Sequence, residues 1–263
     1  MNSEVLIRLF AFLGMVTAMA VWETKSPRRK CMIPRKKRWP ANLGIVFLNT
    51  VFVRILLPTT GIGLATLAQN REWGLFSLWA SPLWIAVPLT ILVMDFVIYL
   101  QHVLFHSVPL FWRFHRMHHT DPEFDFTTGN RFHPIEILIS MLIKFSVIAA
   151  LGAPPVGVLI FEILLNATAT FNHANAFLPM HIDRVLRWIL VTPDMHRVHH
   201  SIEKDETNSN FGFNLPWWDR LFGTYRAQPR KGHLGMTIGL RTDHDPTWDI
   251  SLPRMILFPF KKG

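Results

Sequence analysis

The sequence is short of cysteine and of charge, and it carries none of the usual local signatures of a bound organic or sulfur-ligated cofactor. With Cys31 alone, no intrachain disulfide and no thiolate-held iron–sulfur cluster can form, and a reducing compartment is compatible with it. No Gly-rich dinucleotide turn follows a strand, no CxxCH attaches a haem, and no HExxH pair marks a zinc protease. Charged residues make up 17% of the chain, below the roughly 25% usual in soluble domains. Half of the residues are hydrophobic and mean hydropathy is +0.24, which places the chain among membrane proteins. There is no fixed-period repeat and no low-complexity linker, so residues 1–263 read as one integral-membrane domain.

What charge there is lies unevenly. The net charge is +9, and Lys25, Arg28, Arg29, Lys30, Arg35, Lys36, Lys37 and Arg38 cluster in a single segment. A basic run between two apolar spans reads as a cytoplasmic loop facing anionic lipid, and nucleic acid is not an expected partner. Apolar segments at 5–22, 41–68, 81–105, 135–151 and 156–170 give an all-α integral membrane fold of four to five transmembrane or hairpin helices. Ala18-Met19-Ala20 resembles a signal-peptide cleavage site. The positive charge ahead of it is poor and eight basic residues follow, so retention as a first spanning helix is expected. The last two segments are short and hinge at Gly152-Ala153-Pro154-Pro155, which reads as a hairpin entering and leaving on one side. Residues 106–134 and 171–263 then form a cytoplasmic helical cap in a bacterial inner membrane or an endoplasmic reticulum membrane. Trp248, Ile250, Leu252, Met255, Ile256, Leu257, Phe258 and Phe260, followed by Lys261 and Lys262, read as an amphipathic tail at the interface or as irregular chain.

Histidine is the residue in excess. Even scatter of 13 would put about one in the 23 positions 102–119 and 196–200, and eight are there. They are His102, His106, His115, His118, His119, His196, His199 and His200, and the charge and hydropathy pattern puts all of them at one membrane face. On a helix Asp95, Tyr99, His102 and His106 fall within about 60° of one another at 100° per residue. His115, His118 and His119 share the i, i+3, i+4 spacing of His196, His199 and His200, so each triple is expected to present three nitrogens to one point if helical. Eight imidazoles exceed what one ion uses, which implies two metals.

HVLFH, HRMHH and HRVHH, in that order around an apolar hairpin, resemble the histidine boxes of the membrane fatty acid hydroxylase and sterol desaturase superfamily. The likeness runs from about Val93 to Tyr225 and takes in RFHPIE, NHAN, TPDMHRVHHS and WWDRLFGTY. It implies two iron ions, dioxygen as co-substrate and a membrane lipid (sterol, fatty acyl or sphingoid chain) that is hydroxylated or desaturated. It also implies a ferredoxin-like or cytochrome-like electron donor with its reductase, docking on the basic face. The pattern adds His133 and His173 as ninth and tenth ligands or supporting groups. Because ligating imidazoles usually give their second N–H to a carboxylate or carbonyl, Asp95, Glu136 and Asp194 are candidate orienting groups, each with ion pairing or helix capping as the plain alternative. Glu162 and Asn166, inside the last apolar arm, line a pocket or pair with a neighbour. Arg54 snorkels or pairs. Trp217, Trp218 and Phe222 read as packing ahead of interfacial anchoring, and His181, His233 and His244 are not expected to bind metal. A zinc hydrolase and a metal-binding or transport protein are the competing classes. The first lacks a paired base beside the boxes, and the second would space its ligands along a path across the bilayer.

Overall fold

The protein is described by a computed structural model covering residues 3–241 and 250–261, so His244, Trp248 and Lys262 lie outside the described residues. Among the described residues there are helices, short 3-10 turns and two isolated β-bridges, with no strand. The first ten helices are α1 (Ser3–Lys25), α2 (Arg35–Leu56), α3 (Gly61–Asn70), α4 (Leu75–Leu78), α5 (Leu83–Ser107), α6 (Pro109–His119), α7 (Pro134–Leu151), α8 (Pro155–Asn172), α9 (Met180–Leu186) and α10 (Pro193–His199). Five stretches are long and apolar enough to cross a membrane: α1, the run from Arg35 to Leu78, α5, α7 and α8. The chain is an all-α integral membrane protein.

The expected span 41–68 is not one helix. Pro58 disfavours helical backbone at the residue before it, and Leu57 is extended at φ −105° and ψ 125°. Thr60 then caps α3 by accepting from the Gly63 N–H at 3.1 Å. α3 packs on α7 and α8 beside the break. The hairpin is close to expectation, with α7 and α8 each 18 residues long and each opened by a proline at a helix start. Between them Gly152 adopts φ 63°, and a Cβ there would lie 2.0 Å from the Trp73 carbonyl, so the turn admits glycine alone.

α8 is the central helix. Half of its apolar window is buried, against 6% for α1, which packs on α8 and turns most of its surface outward. α1 is nonetheless built into the fold. Met19 is buried with Phe126, Phe171, Ala174 and Ala176, and buried Glu23 accepts from the N–H groups of Phe126 at 2.8 Å and Asn175 at 2.7 Å.

The basic segment is tied into the fold. Lys25, Lys30, Lys36 and Lys37 are exposed, whereas Arg38 is wholly buried. Arg38 forks onto Asp121 at 2.8 and 2.7 Å and reaches Asp125 at 2.8 Å. Burial alone would raise the Asp121 carboxyl; Arg38 and Arg131 instead hold it down at about 2. Arg28 pairs with Asp194 at 3.0 Å, and the segment bridges to the cap between Pro27 and Ala176. The loop is therefore a clamp that fixes the ends of α1 and α2 against the histidine-bearing cap. The tail also packs inward: Met255 and Phe258 are buried with Ala41, Ile45 and Met117, while Leu257 and Phe260 stay exposed.

Candidate metal centre

α5 and α6 meet at Ser107–Pro109, where the Val108 N–H closes α5 and Pro109 opens α6. α10 is capped by Thr192, whose side chain accepts from the Met195 N–H. α8 ends at His173, its C-cap. These four ends converge, and nine histidines sort into two groups. His102, His106, His115, His119 and His199 form one, and His118, His173, His196 and His200 the other; within each, one nitrogen per residue lies within 4.8 Å of all the others. The groups adjoin, with ring centroids of His119 and His200 4.5 Å apart.

The triples do not converge as the spacing suggested. His115 and His119 enter the first group and His118 the second, while His196 and His200 enter the second and His199 the first. Two neighbouring residues on a helix point about 100° apart, so each HxxHH helix reaches two sites at once.

Support differs between rings. In the first group the Nδ1–H of His102 donates to the Phe211 carbonyl at 2.7 Å, that of His199 to the Ser209 carbonyl at 2.8 Å, and that of His115 to Glu136 Oε1 at 2.6 Å. Those bonds fix the tautomer and leave a lone pair on each Nε2. His106 Nδ1 lies 3.3 Å from Asn208 Oδ1. In the second group His173 gives its Nδ1–H to the Ala169 carbonyl at 2.8 Å, and its Nε2 lies 3.2 Å from His118 Nε2 and 3.1 Å from His196 Nε2. Gly129 passes directly under this ring; a Cβ there would stand 2.4 Å from the Ala169 carbonyl and 2.9 Å from His173 Nδ1. Phe132 stacks on His118, with centroids 4.6 Å apart.

The donor set fits a metal. The Nε2 atoms of His102, His106 and His199 are buried with no hydrogen-bond partner, and in the second group the Nε2 atoms of His118, His173, His196 and His200 face one another at 3.1–3.2 Å. Such orphans are costly unless something accepts their lone pairs. Burial first, then the neighbouring imidazoles, push His118, His119, His196 and His200 well below the ordinary imidazole value. Burial likewise brings His173 and His199 to about 3, so these rings are neutral, as ligands must be.

The remaining expected residues are placed differently. His133 enters neither group: its Nδ1 accepts from the Ile135 N–H, capping α7, and its Nε2 lies 3.2 Å from the Ile256 carbonyl. Of the three carboxylates only Glu136 meets a histidine of either group. Asp95 touches none; it accepts from Trp218 Nε1 at 2.8 Å and from the N–H groups of Asn214 and Leu215, and so holds the loop that supplies the Phe211 carbonyl. Asp194 pairs with Arg28 and Arg197 and locks α10 to the basic clamp. His181 is exposed, and buried His233 sits 3.6 Å from Asp194. Reasoning from sequence missed Asn208, the three carbonyls, and Asp219, which holds the Phe211 and Gly212 N–H groups at 2.7 and 2.8 Å. Backbone acceptors leave no mark in a sequence, although Asp219 lies inside the WWDRLFGTY motif.

A cavity of about 720 Å³ opens from the first group into the helix bundle, with His102, His115, Glu136, Phe105, Phe132 and Phe213 at its head.

The family model for fatty acid hydroxylases matches residues 87–224. An ornithine lipid hydroxylase of Rhizobium tropici is 28% identical over 233 residues, covering 83% of this chain and 67% of its own length. An alkylglycerol monooxygenase of Xenopus tropicalis is 31% identical over 159 residues, 59% of this chain and 33% of its own. A cholesterol 25-hydroxylase of Rattus norvegicus is 26% identical over 153 residues, 56% of this chain and 49% of its own. The chain thus spans about a third of the monooxygenase and about half of the cholesterol enzyme. No solved structure matches the chain significantly. The match to the family model covers more than half of the sequence and every histidine of both groups, and the chain belongs to the fatty acid hydroxylase family.

Proposed function

We propose that the protein is a membrane-bound di-iron lipid oxygenase that hydroxylates its substrate with dioxygen and electrons supplied from outside. One observation carries the reading: two adjoining sets of lone-pair nitrogens, the first opening onto a cavity inside the membrane bundle. Three of the relatives are by name hydroxylases or monooxygenases, of an ornithine lipid, an alkylglycerol and cholesterol, which favours oxygen insertion over desaturation.

The first iron would be held by His102, His106, His115, His119 and His199, and the second by His118, His173, His196 and His200. Held there, the pair would supply oxygen activation toward an unactivated C–H bond. The chain does the rest. Glu136 and the Phe211 and Ser209 carbonyls hold the Nδ1 protons and aim the Nε2 lone pairs. Phe105, Phe132 and Phe213 keep the head of the cavity apolar, so an acyl or sterol carbon meets the site with little water. The basic clamp, with exposed Lys30, Lys36 and Lys37 on the histidine side, supports a cytoplasmic orientation and offers a face to an acidic electron-transfer partner. Cap, clamp and bundle act as one unit.

Purified protein is expected to carry two irons per chain and to change its spectrum on reduction and exposure to oxygen. Lipids of cells that express the gene should contain a species heavier by one oxygen atom. Zinc as the sole metal of an active preparation overturns the iron assignment, and a product lacking two hydrogens makes the enzyme a desaturase.

A further inference from the structure

The cavity does not end among apolar side chains. Away from His102 and His115 its wall includes Arg8 of α1, Arg54 of α2, Lys144 of α7 and Glu162 of α8. Arg8 Nη1 pairs with Glu162 Oε2 at 3.0 Å. Among the described residues neither Arg54 nor Lys144 has a carboxylate within ion-pairing distance, so three cations share one anion at this end of the cavity. All four residues belong to stretches of membrane length. Charge in such segments is costly unless it meets a partner, and it marks a ligand path by default. Lys144 follows Glu136 by eight residues on α7, which sets the cationic end about 12 Å from the histidine end along the helix. The volume is that of a site for one drug-sized ligand, with one end fit for an anion and the other for a hydrocarbon.

We propose that Arg54 and Lys144, with Arg8 beside them, bind the anionic group of the substrate, a carboxylate or phosphate ester heading a single apolar chain, with the chain reaching toward His102 and His115. The proposal rests on the reading of this cavity as the substrate site. Glu162 pairs with Arg8, which leaves Arg54 and Lys144 for the anionic group of the ligand. A neutral lipid leaves the two remaining cations without a counter-charge, and that is the source of the selectivity.

The test is equilibrium binding to iron-loaded, full-length protein in a neutral detergent, using three lipids with one common chain: a fatty acid, a lysophosphatidic acid and a monoacylglycerol. Both acids are expected to bind about 100-fold more tightly than the neutral lipid, with Lys144→Met and Arg54→Met each removing about tenfold of that preference. The affinity for the monoacylglycerol and the iron content stay constant in both variants, and Lys144→Arg keeps the preference. Arg54 is exposed, so its variant leaves the packing intact even where the Lys144 variant fails to fold. Equal affinity for acid and neutral lipid overturns the proposal, as does full preference in Arg54→Met. Inorganic phosphate competing as strongly as the lysophosphatidic acid overturns the assignment to a lipid. Absence of iron or of lipid oxidation sinks the oxygenase reading and leaves the binding result standing; oxidation without anion preference sinks this proposal alone.

Discussion

The two histidine groups contain the same side chain and are built in opposite ways. In the first, outside groups hold four of the five rings, all but His119: Glu136 from α7, the Phe211 and Ser209 carbonyls from one loop, and the Asn208 amide. In the second, only His173 has an Nδ1 acceptor, and the rings are held by packing against Phe132, Phe124 and the close-passing Gly129. The first group borders the cavity through His102 and His115 themselves; the second stands behind Phe132, Gly129 and Ala169, which line the same cavity in its place. A site that meets substrate must keep room beside its ligands, so its rings cannot be wedged in place and need hydrogen bonds instead. A site behind such a wall can be held by shape. That contrast predicts that the first centre is sensitive to loss of hydrogen bonds and the second to a change of volume.

The largest effect is expected from removing one ligand of each group. His199→Ala and His118→Ala should each abolish lipid oxidation and reduce bound iron from two per chain to one, measured by metal analysis of purified protein; full activity in both means that neither group is a metal centre. Glu136→Gln comes next. It keeps the size of the side chain and loses the carboxylate that holds the His115 proton, so activity should fall about 10- to 100-fold with the second iron retained. Gly129→Ala tests the other arm. The added methyl overpacks the floor beneath His173 by about 1–3 kcal/mol, which should weaken the second iron by roughly tenfold or more while the first stays bound. If it weakens the first iron instead, the division of labour is reversed. Asn208→Ala should cost about threefold in activity, because His106 is the least buried ring and its bond to Asn208 is long at 3.3 Å. An effect as large as that of Glu136→Gln would mean that each hydrogen bond in the first group matters equally.

Much of this was legible before any coordinates. Hydropathy located the hairpin to within a residue or two at its ends, because prolines and a glycine punctuate it, but it ran through the break at Leu57–Thr60, where one proline outweighs the apolar composition around it. Charge marked the basic segment as a loop and misjudged part of its role. An arginine bound for anionic lipid and one bound for Asp121 look alike in a sequence, since the carboxylates lie more than eighty residues away. Spacing picked out eight of the nine converging histidines, and the family pattern supplied His173.

The sequence by itself determined the kind of donor: nitrogen side chains in excess, at helical spacing, beside apolar spans and a basic segment. Only the tertiary structure decided how those nitrogens are shared. The helical repeat turns adjacent histidines about 100° apart, so His118 and His119 cannot serve one point, and which ring joins which group depends on how α5, α6, α8 and α10 cross. The same crossing turned His133 to the backbone and brought Glu136, of the three candidate carboxylates, against a histidine of the site. Local spacing fixes directions around one helix axis; a metal centre needs directions from four axes to meet.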